Sequence, residues 1–284
     1  MMSADGRFGS WEEAVQWLRG QPDRRDLVLN AYYDDPLIEA AERYRCSDEW
    51  RAIRAFIGNR GGAALDIGAG RGIASYALAK DGYRVMALEP DSSDLVGAGA
   101  IRRLAEQAAL PISICEQYSE SLPFPDASFD IVFARAVLHH ARDIGLACQE
   151  IFRVLKPGGR LVAVREHVIS QRADLSAFLD KHPLHKLYGG ENAFMLKEYL
   201  EALRGADFRV SAVLSPLSSP INLFPQTEDS LRREVCLRLG RLPPVAKLLE
   251  RIFSLPRLFS MLLRLLSLVD HRPGRLYSFV ADKH

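Results

Sequence analysis

The stretch LDIGAGRGIAS, residues 65–75, constrains the fold more than any other part of the chain. An apolar run, Ala63–Ile67, meets three glycines at alternate positions, Gly68, Gly70 and Gly72. A helical pattern follows over Arg71–Lys80. Strand, tight loop and helix open a βαβ unit, and a sheet of parallel strands has to be covered by helices on both faces.

The alternation continues downstream. Spacing and turn residues predict strands over Tyr83–Leu88, Ile112–Cys115, Phe129–Ala134, Arg160–Val168 and Phe208–Leu214. They predict helices over Leu95–Ala108, Asp143–Leu155 and Leu196–Arg204. KPGG, residues 156–159, reads as a helix stop followed by a turn. Upstream, Ser10 with Glu13 three residues on forms a capping box for a helix with Trp11, Ala14, Val15 and Leu18 on one face. Gly20 and Pro22 end it, and further helices are predicted over Pro36–Arg45 and Asp48–Ile57. A long helical insertion between about Pro216 and Pro273 precedes RLYSFVA, residues 275–281, which alternates as a final strand. The expected class is α/β, a Rossmann-like doubly wound sheet. Its expected parts are an N-terminal helical extension (1–58), a core (59–215), a helical insertion serving as cap or lid (216–274) and a last core strand (275–284).

Size and charge narrow the function. A chain of 284 residues makes one large domain, or one domain with an elaborated insertion. The formal net charge is +1, from 37 basic and 36 acidic side chains, so a nucleic-acid partner is not expected. Cys46, Cys115, Cys148 and Cys236 form no C-x-x-C pair and read as reduced thiols. MMSADGRFGSWEEAVQWL has no basic n-region with an apolar h-region, and no run of about eighteen apolar residues follows. The expected location is cytoplasmic.

The glycine loop then separates two ligand classes. A dinucleotide fingerprint, G-x-G-x-x-G, needs its third glycine for close helix–strand packing. Counted from Gly68 and Gly70, that position is Ile73; glycine stands at 72 instead. A nicotinamide-dependent oxidoreductase is therefore disfavoured. Asp66 ends the first strand and Glu89 the second, at the crevice where doubly wound sheets bind ligands. A carboxylate there can accept hydrogen bonds from two vicinal ribose hydroxyls.

Four segments in order, LDIGAGRG, ALEPD, ESLPFPDASFDIVFARAVLHH and EIFRVLKPGGRLVAV, resemble the successive motifs of class I S-adenosylmethionine-dependent methyltransferases of the type 11 group. The resemblance covers roughly residues 60–168. It implies S-adenosyl-L-methionine as cofactor and a seven-stranded sheet whose last strand is antiparallel, inserted between the fifth and sixth. It also implies that Gly68, Ala69, Gly70 and Gly72 approach the cofactor, with Asp66 beneath the methionine moiety and Glu89, followed by Pro90, on the ribose. The family's acid that binds the adenine amino group is replaced by Tyr118, with Ser119 next to it; Glu116 or Glu120 could take over its role. Arg135 lies where a family backbone carbonyl contacts the methionine ammonium.

The acceptor should enter beyond the fourth and fifth strands. A hydroxyl acceptor must lose a proton, and the candidates to assist are His139, Glu166 and His167, with His140 read as a packing or capping residue. HPLHKLYGGENAF, residues 182–194, follows the fifth strand and is unusually dense in His, Tyr, Gly, Glu and Asn. His182 and His185 with Glu166 and His167 match no standard zinc spacing, so no metal is expected. Residues 246–272 are apolar with spaced Arg251, Arg257 and Arg264, and Pro256 divides them into two helices. That stretch admits a lid, a homodimer surface, or a peripheral membrane contact. The expected function is methyl transfer to a small-molecule or glycan-type acceptor. The alternative is a catalytically silent protein that binds the cofactor as a partner or sensor.

Overall fold

The computed structural model describes residues 7–58, 61–239 and 255–284. Its strands are β1 (Gly62–Ile67), β2 (Tyr83–Leu88), β3 (Ile112–Cys115), β4 (Phe129–Arg135), β5 (Leu155–Ile169), β6 (Phe194–Met195), β7 (Arg209–Leu214) and β8 (Arg275–Asp282). They form one sheet in the order β3-β2-β1-β4-β5-β8-β7, with β6 paired to β5 beside that path. The sheet has eight strands rather than the expected seven, and the additional one is the two-residue β6. β1 pairs in parallel with β2 on one side and β4 on the other, so the strand order reverses at β1. That reversal opens a crevice at the carboxyl end of β1. β8 runs antiparallel to both β5 and β7, as expected for the inserted last strand.

Alternation along the strands distributes side chains to two cores. Leu65, Val132 and Leu161 face one layer with Ile151, Tyr199 and Phe279. Their neighbours Ala64, Ile131 and Val162 face the other, with Trp50, Ile53, Tyr83 and Val85. The helix Asp48–Ile57 thus buries Trp50, Ile53 and Ile57 against the sheet, while Leu37 and Ala41 of the helix Leu37–Arg45 pack on Tyr76, Ala100 and Leu104 of the core helices.

Several boundaries differ from the sequence pattern. The helix after the glycine loop runs Ile73–Lys80 because Gly70 and Gly72 have φ of +55° and +81°, left-handed values outside a right-handed helix. The next helix runs Ala98–Ala108, since residues 91–97 turn first, with the Ser93 N–H donating to Asp91 Oδ1 at 2.8 Å. KPGG is not a free turn. It belongs to β5, where the register against β4 shifts and the Gly158 N–H reaches the Lys283 carbonyl at 2.9 Å. A 3-10 turn, Pro22–Arg24, and a helix, Arg25–Asn30, had no clear periodicity. The expected cap at Ser10 forms, accepting the Glu13 N–H at 3.1 Å.

The insertion contains helices Pro220–Leu223, Glu228–Leu239 and Pro256–Leu268, with Pro256 in the first turn of the last. The first part of the apolar 246–272 stretch lies outside the described residues. Among the described residues no helix is long and apolar enough to cross a membrane.

Candidate functional site

The crevice at the end of β1 is built from the glycine loop upward. Gly68 has φ +62°, and a Cβ there would stand 2.2 Å from Val137 Cγ2. Only glycine lets the loop lie this close to the turn that follows β4. Glu89, 4 % exposed, closes β2 beside the loop. Its Oε2 accepts the Gly70 N–H at 2.7 Å and its Oε1 the Asp91 N–H at 3.0 Å. Each oxygen keeps one further lone-pair site. Burial raises the Glu89 carboxyl to about 7, against the lowering pull of those two N–H groups. Asp66 is buried at the end of β1 and accepts the Ser75 hydroxyl at 2.6 Å. Burial raises it as well, to about 7. Ala69 is buried with its N–H on the Leu88 carbonyl, and Pro90 is exposed.

The N-terminal segment roofs this loop, a role the sequence did not reveal. A Cβ on Gly70 would meet Trp11 Cη2 at 3.6 Å. Buried Arg71 donates to the carbonyls of Tyr32 and Asp34 at 2.8 Å and of Leu95 at 3.0 Å, and pairs with Asp35. Its fan of fixed donors ties two chain segments, 32–35 and Leu95, to the glycine loop.

The residues expected on the adenine side stand apart. Tyr118 is 66 % exposed, and Ser119, half-buried, bonds Glu120. Glu120 also accepts the Arg142 N–H at 2.9 Å, while Glu116 pairs with Arg102. Arg135 ends β4, but its side chain turns away to the buried Glu49, Nε to Oε1 at 2.7 Å, between the rings of Tyr32 and Tyr44.

The three candidates beyond β4 and β5 do come together. Glu166 is fully buried. Its Oε1 accepts the N–H groups of Val137 and Leu138 at 3.2 Å, and its Oε2 those of His139 backbone at 3.0 Å and His139 Nδ1 at 2.7 Å. Four donors fill the carboxylate's four lone-pair sites and fix the His139 ring, which leaves Glu166 no site for a further donor. The ring of His139 stands edge-on to that of His167, with centroids 4.7 Å apart. His167 Nδ1–H donates to the Gly274 carbonyl at 3.0 Å, which leaves Nε2 as its lone-pair atom.

A fourth member was not singled out from the sequence. Glu191, in the 182–194 segment, lies 3.5 Å from His139 Nε2, 3.9 Å from His140 Nε2 and 3.7 Å from His182 Nδ1. Burial opposes charge on His139, but Glu166 and Glu191 raise it to about 9. Burial and the His139 charge lower His167 to about 3. Burial works against the Glu191 carboxylate too, yet His139 and its neighbours hold it at about 2. His140, read as a capping residue, instead donates Nδ1–H to the Gly190 carbonyl at 2.8 Å, tying this segment to the turn after β4. His185, half-buried, meets Arg7 at 3.0 Å.

A family model described as a methyltransferase domain matches residues 65–163. The uncharacterized protein YafE of Escherichia coli (strain K12) is 51 % identical over 53 residues, 19 % of this chain and 26 % of that protein. The O-methyltransferase resE of Aspergillus sclerotiorum is 30 % identical over 187 residues, 63 % of this chain and 67 % of that protein. The chain thus spans about a quarter of the first relative and two thirds of the second. The structure of geranyl diphosphate C-methyltransferase from Streptomyces coelicolor A3(2) superposes with TM-score 0.58 at 16 % identity, covering 88 % of this chain and 85 % of that one.

Proposed function

We propose, because this chain belongs to the class I S-adenosylmethionine-dependent methyltransferase family, that it transfers the methyl group of S-adenosyl-L-methionine to a small-molecule acceptor. The observation that carries the reading is Glu89. A buried carboxylate at the end of β2, with one lone-pair site free on each oxygen and the Gly70 backbone against it, suits two vicinal ribose hydroxyls. Gly68, Ala69, Gly70, Gly72 and Asp66 would flank the rest of the cofactor, with Tyr118 and Ser119 on the adenine side and the backbone of Arg135 toward the methionine.

Methyl transfer from a sulfonium is an in-line displacement, so holding the acceptor in line supplies much of the rate, on the order of 7–11 kcal/mol for good alignment. His139 and His167 stand next to the turn that touches Gly68 through Val137. In this reading they orient the acceptor's polar group, His139 by donating and His167 Nε2 by accepting. Glu166 fixes the His139 ring. The 182–194 segment, tied to His140 through Gly190 and lying against His139 through Glu191, supports a small-molecule or glycan-type acceptor.

Parallel calorimetric titrations with S-adenosylmethionine, S-adenosylhomocysteine and NAD test the cofactor. Micromolar binding of the first two and none of NAD is expected. Release of S-adenosylhomocysteine in an acceptor screen then separates an enzyme from a silent binder, which would hold the cofactor without turnover.

A further inference from the structure

Glu191 is the least satisfied member of the histidine cluster. Its Oε2 is buried and has no hydrogen-bond partner. His139 Nε2 stands 3.5 Å from the Glu191 carboxylate, with His182 Nδ1 at 3.7 Å and His140 Nε2 at 3.9 Å, long for hydrogen bonds. The His139–Glu191 separation suits two donors that share an ion. With bonds of 2.0–2.1 Å at a tetrahedral angle, ligand atoms stand about 3.4 Å apart.

One donor atom each from His139, His167 and Glu191 already lies within 4.8 Å of the others. Small inward rotations would close them on a common centre. The outer partners agree with this. Metal-bound histidines donate their second ring N–H to a carboxylate or a backbone carbonyl, which fixes the tautomer and aims the other nitrogen at the ion. His139 gives its Nδ1–H to Glu166 and His167 gives its Nδ1–H to the Gly274 carbonyl. Both rings therefore have Nε2 left to offer. His140, with a side chain 39 % exposed, marks the open side of the cluster.

We propose that His139, His167 and Glu191 bind one divalent first-row transition-metal ion, through two imidazole nitrogens and one carboxylate oxygen, with the remaining positions open to oxygen ligands. Two imidazoles and one carboxylate suit zinc, iron or cobalt better than magnesium or calcium, which favour all-oxygen shells. The site departs from the expectation of no metal, which rested on linear spacing; these three ligands are far apart in sequence and meet only in the fold. It stands on side-chain geometry alone and goes beyond the transfer reading: with the ion bound, its open positions, rather than His139 and His167 themselves, would face the acceptor. A protein that binds S-adenosylhomocysteine but no metal, or the reverse, separates the two.

The test uses the full chain, without an affinity tag and stripped by chelator, titrated with CoCl2 by absorbance and with ZnCl2 by calorimetry. One equivalent should bind and give cobalt d–d bands without thiolate charge transfer. With CuCl2, electron paramagnetic resonance should show coupling to two imidazole nitrogens, a readout that needs no variant. Glu191→Gln and His167→Gln should each weaken zinc binding more than about 100-fold, beyond what loss of an outer partner costs. His185→Ala, outside the trio, should leave it unchanged. Circular dichroism checks that the variants fold. Failure to bind one equivalent, thiolate charge transfer, absence of imidazole coupling, or unchanged affinity in folded Glu191→Gln and His167→Gln would each overturn the proposal.

Discussion

Replacing Glu89 with glutamine probes the cofactor reading with little change in volume. In the ligand-free protein the carboxylate accepts one backbone N–H on each oxygen, from Gly70 at 2.7 Å and from Asp91 at 3.0 Å. Each oxygen has one site left for a ribose hydroxyl. Hydrogen bonds to a charged acceptor contribute about 1.5–3 kcal/mol, against about 0.5–1.5 kcal/mol for neutral pairs. Glutamine removes the charge from both ribose contacts and sets an amide N–H against one of the two backbone donors. The expected loss is about 2–3 kcal/mol, or about 30- to 150-fold in affinity. Calorimetric titration with S-adenosylhomocysteine at pH 8, where a Glu89 carboxyl raised to about 7 is ionised, measures it directly. Affinity within about threefold of the parent, in a variant with an unchanged melting profile, would refute the argument.

Other outcomes follow from the same geometry. Burial raises Glu89 to about 7 and the ribose favours its ionised form, so cofactor affinity should hold above pH 8 and fall about tenfold by pH 6; titrations across that range, with Glu89→Gln losing that component, check the sign. Gly68→Ala puts a Cβ 2.2 Å from Val137 in a left-handed backbone, and should cost about 2–4 kcal/mol in a urea titration while weakening S-adenosylhomocysteine binding. Arg135→Gln leaves the buried Glu49 without its cation, so stability should drop by about 3–5 kcal/mol while the folded fraction keeps its affinity for S-adenosylhomocysteine; a large affinity loss would mean that the side chain reaches the cofactor.

What the sequence determined is local. Alternation in LDIGAG and its successors specifies strands that send neighbours such as Leu65 and Ala64 to opposite cores, because the period of an extended chain is two whatever packs around it. The glycine spacing and the carboxylate ending β2 were legible for the same reason: each is a short stretch with its own backbone requirement. The boundaries at Ile73 and Ala98 shifted only where the positive φ of Gly72 and the turn at Asp91 overrode helical periodicity.

The tertiary structure decided which side chains meet. Glu166 looked available at a strand end, yet it is filled by the turn at 137–139. Arg135 was expected at the cofactor by its backbone alone, and Glu49, 86 residues earlier, holds its side chain. Trp11 and Arg71 join the N-terminal segment to the glycine loop, and Glu191 enters a ring of histidines from another segment. No periodicity encodes such meetings. They depend on how helices and loops pack across the sheet, where the cost of burying a charge selects the partner that satisfies it.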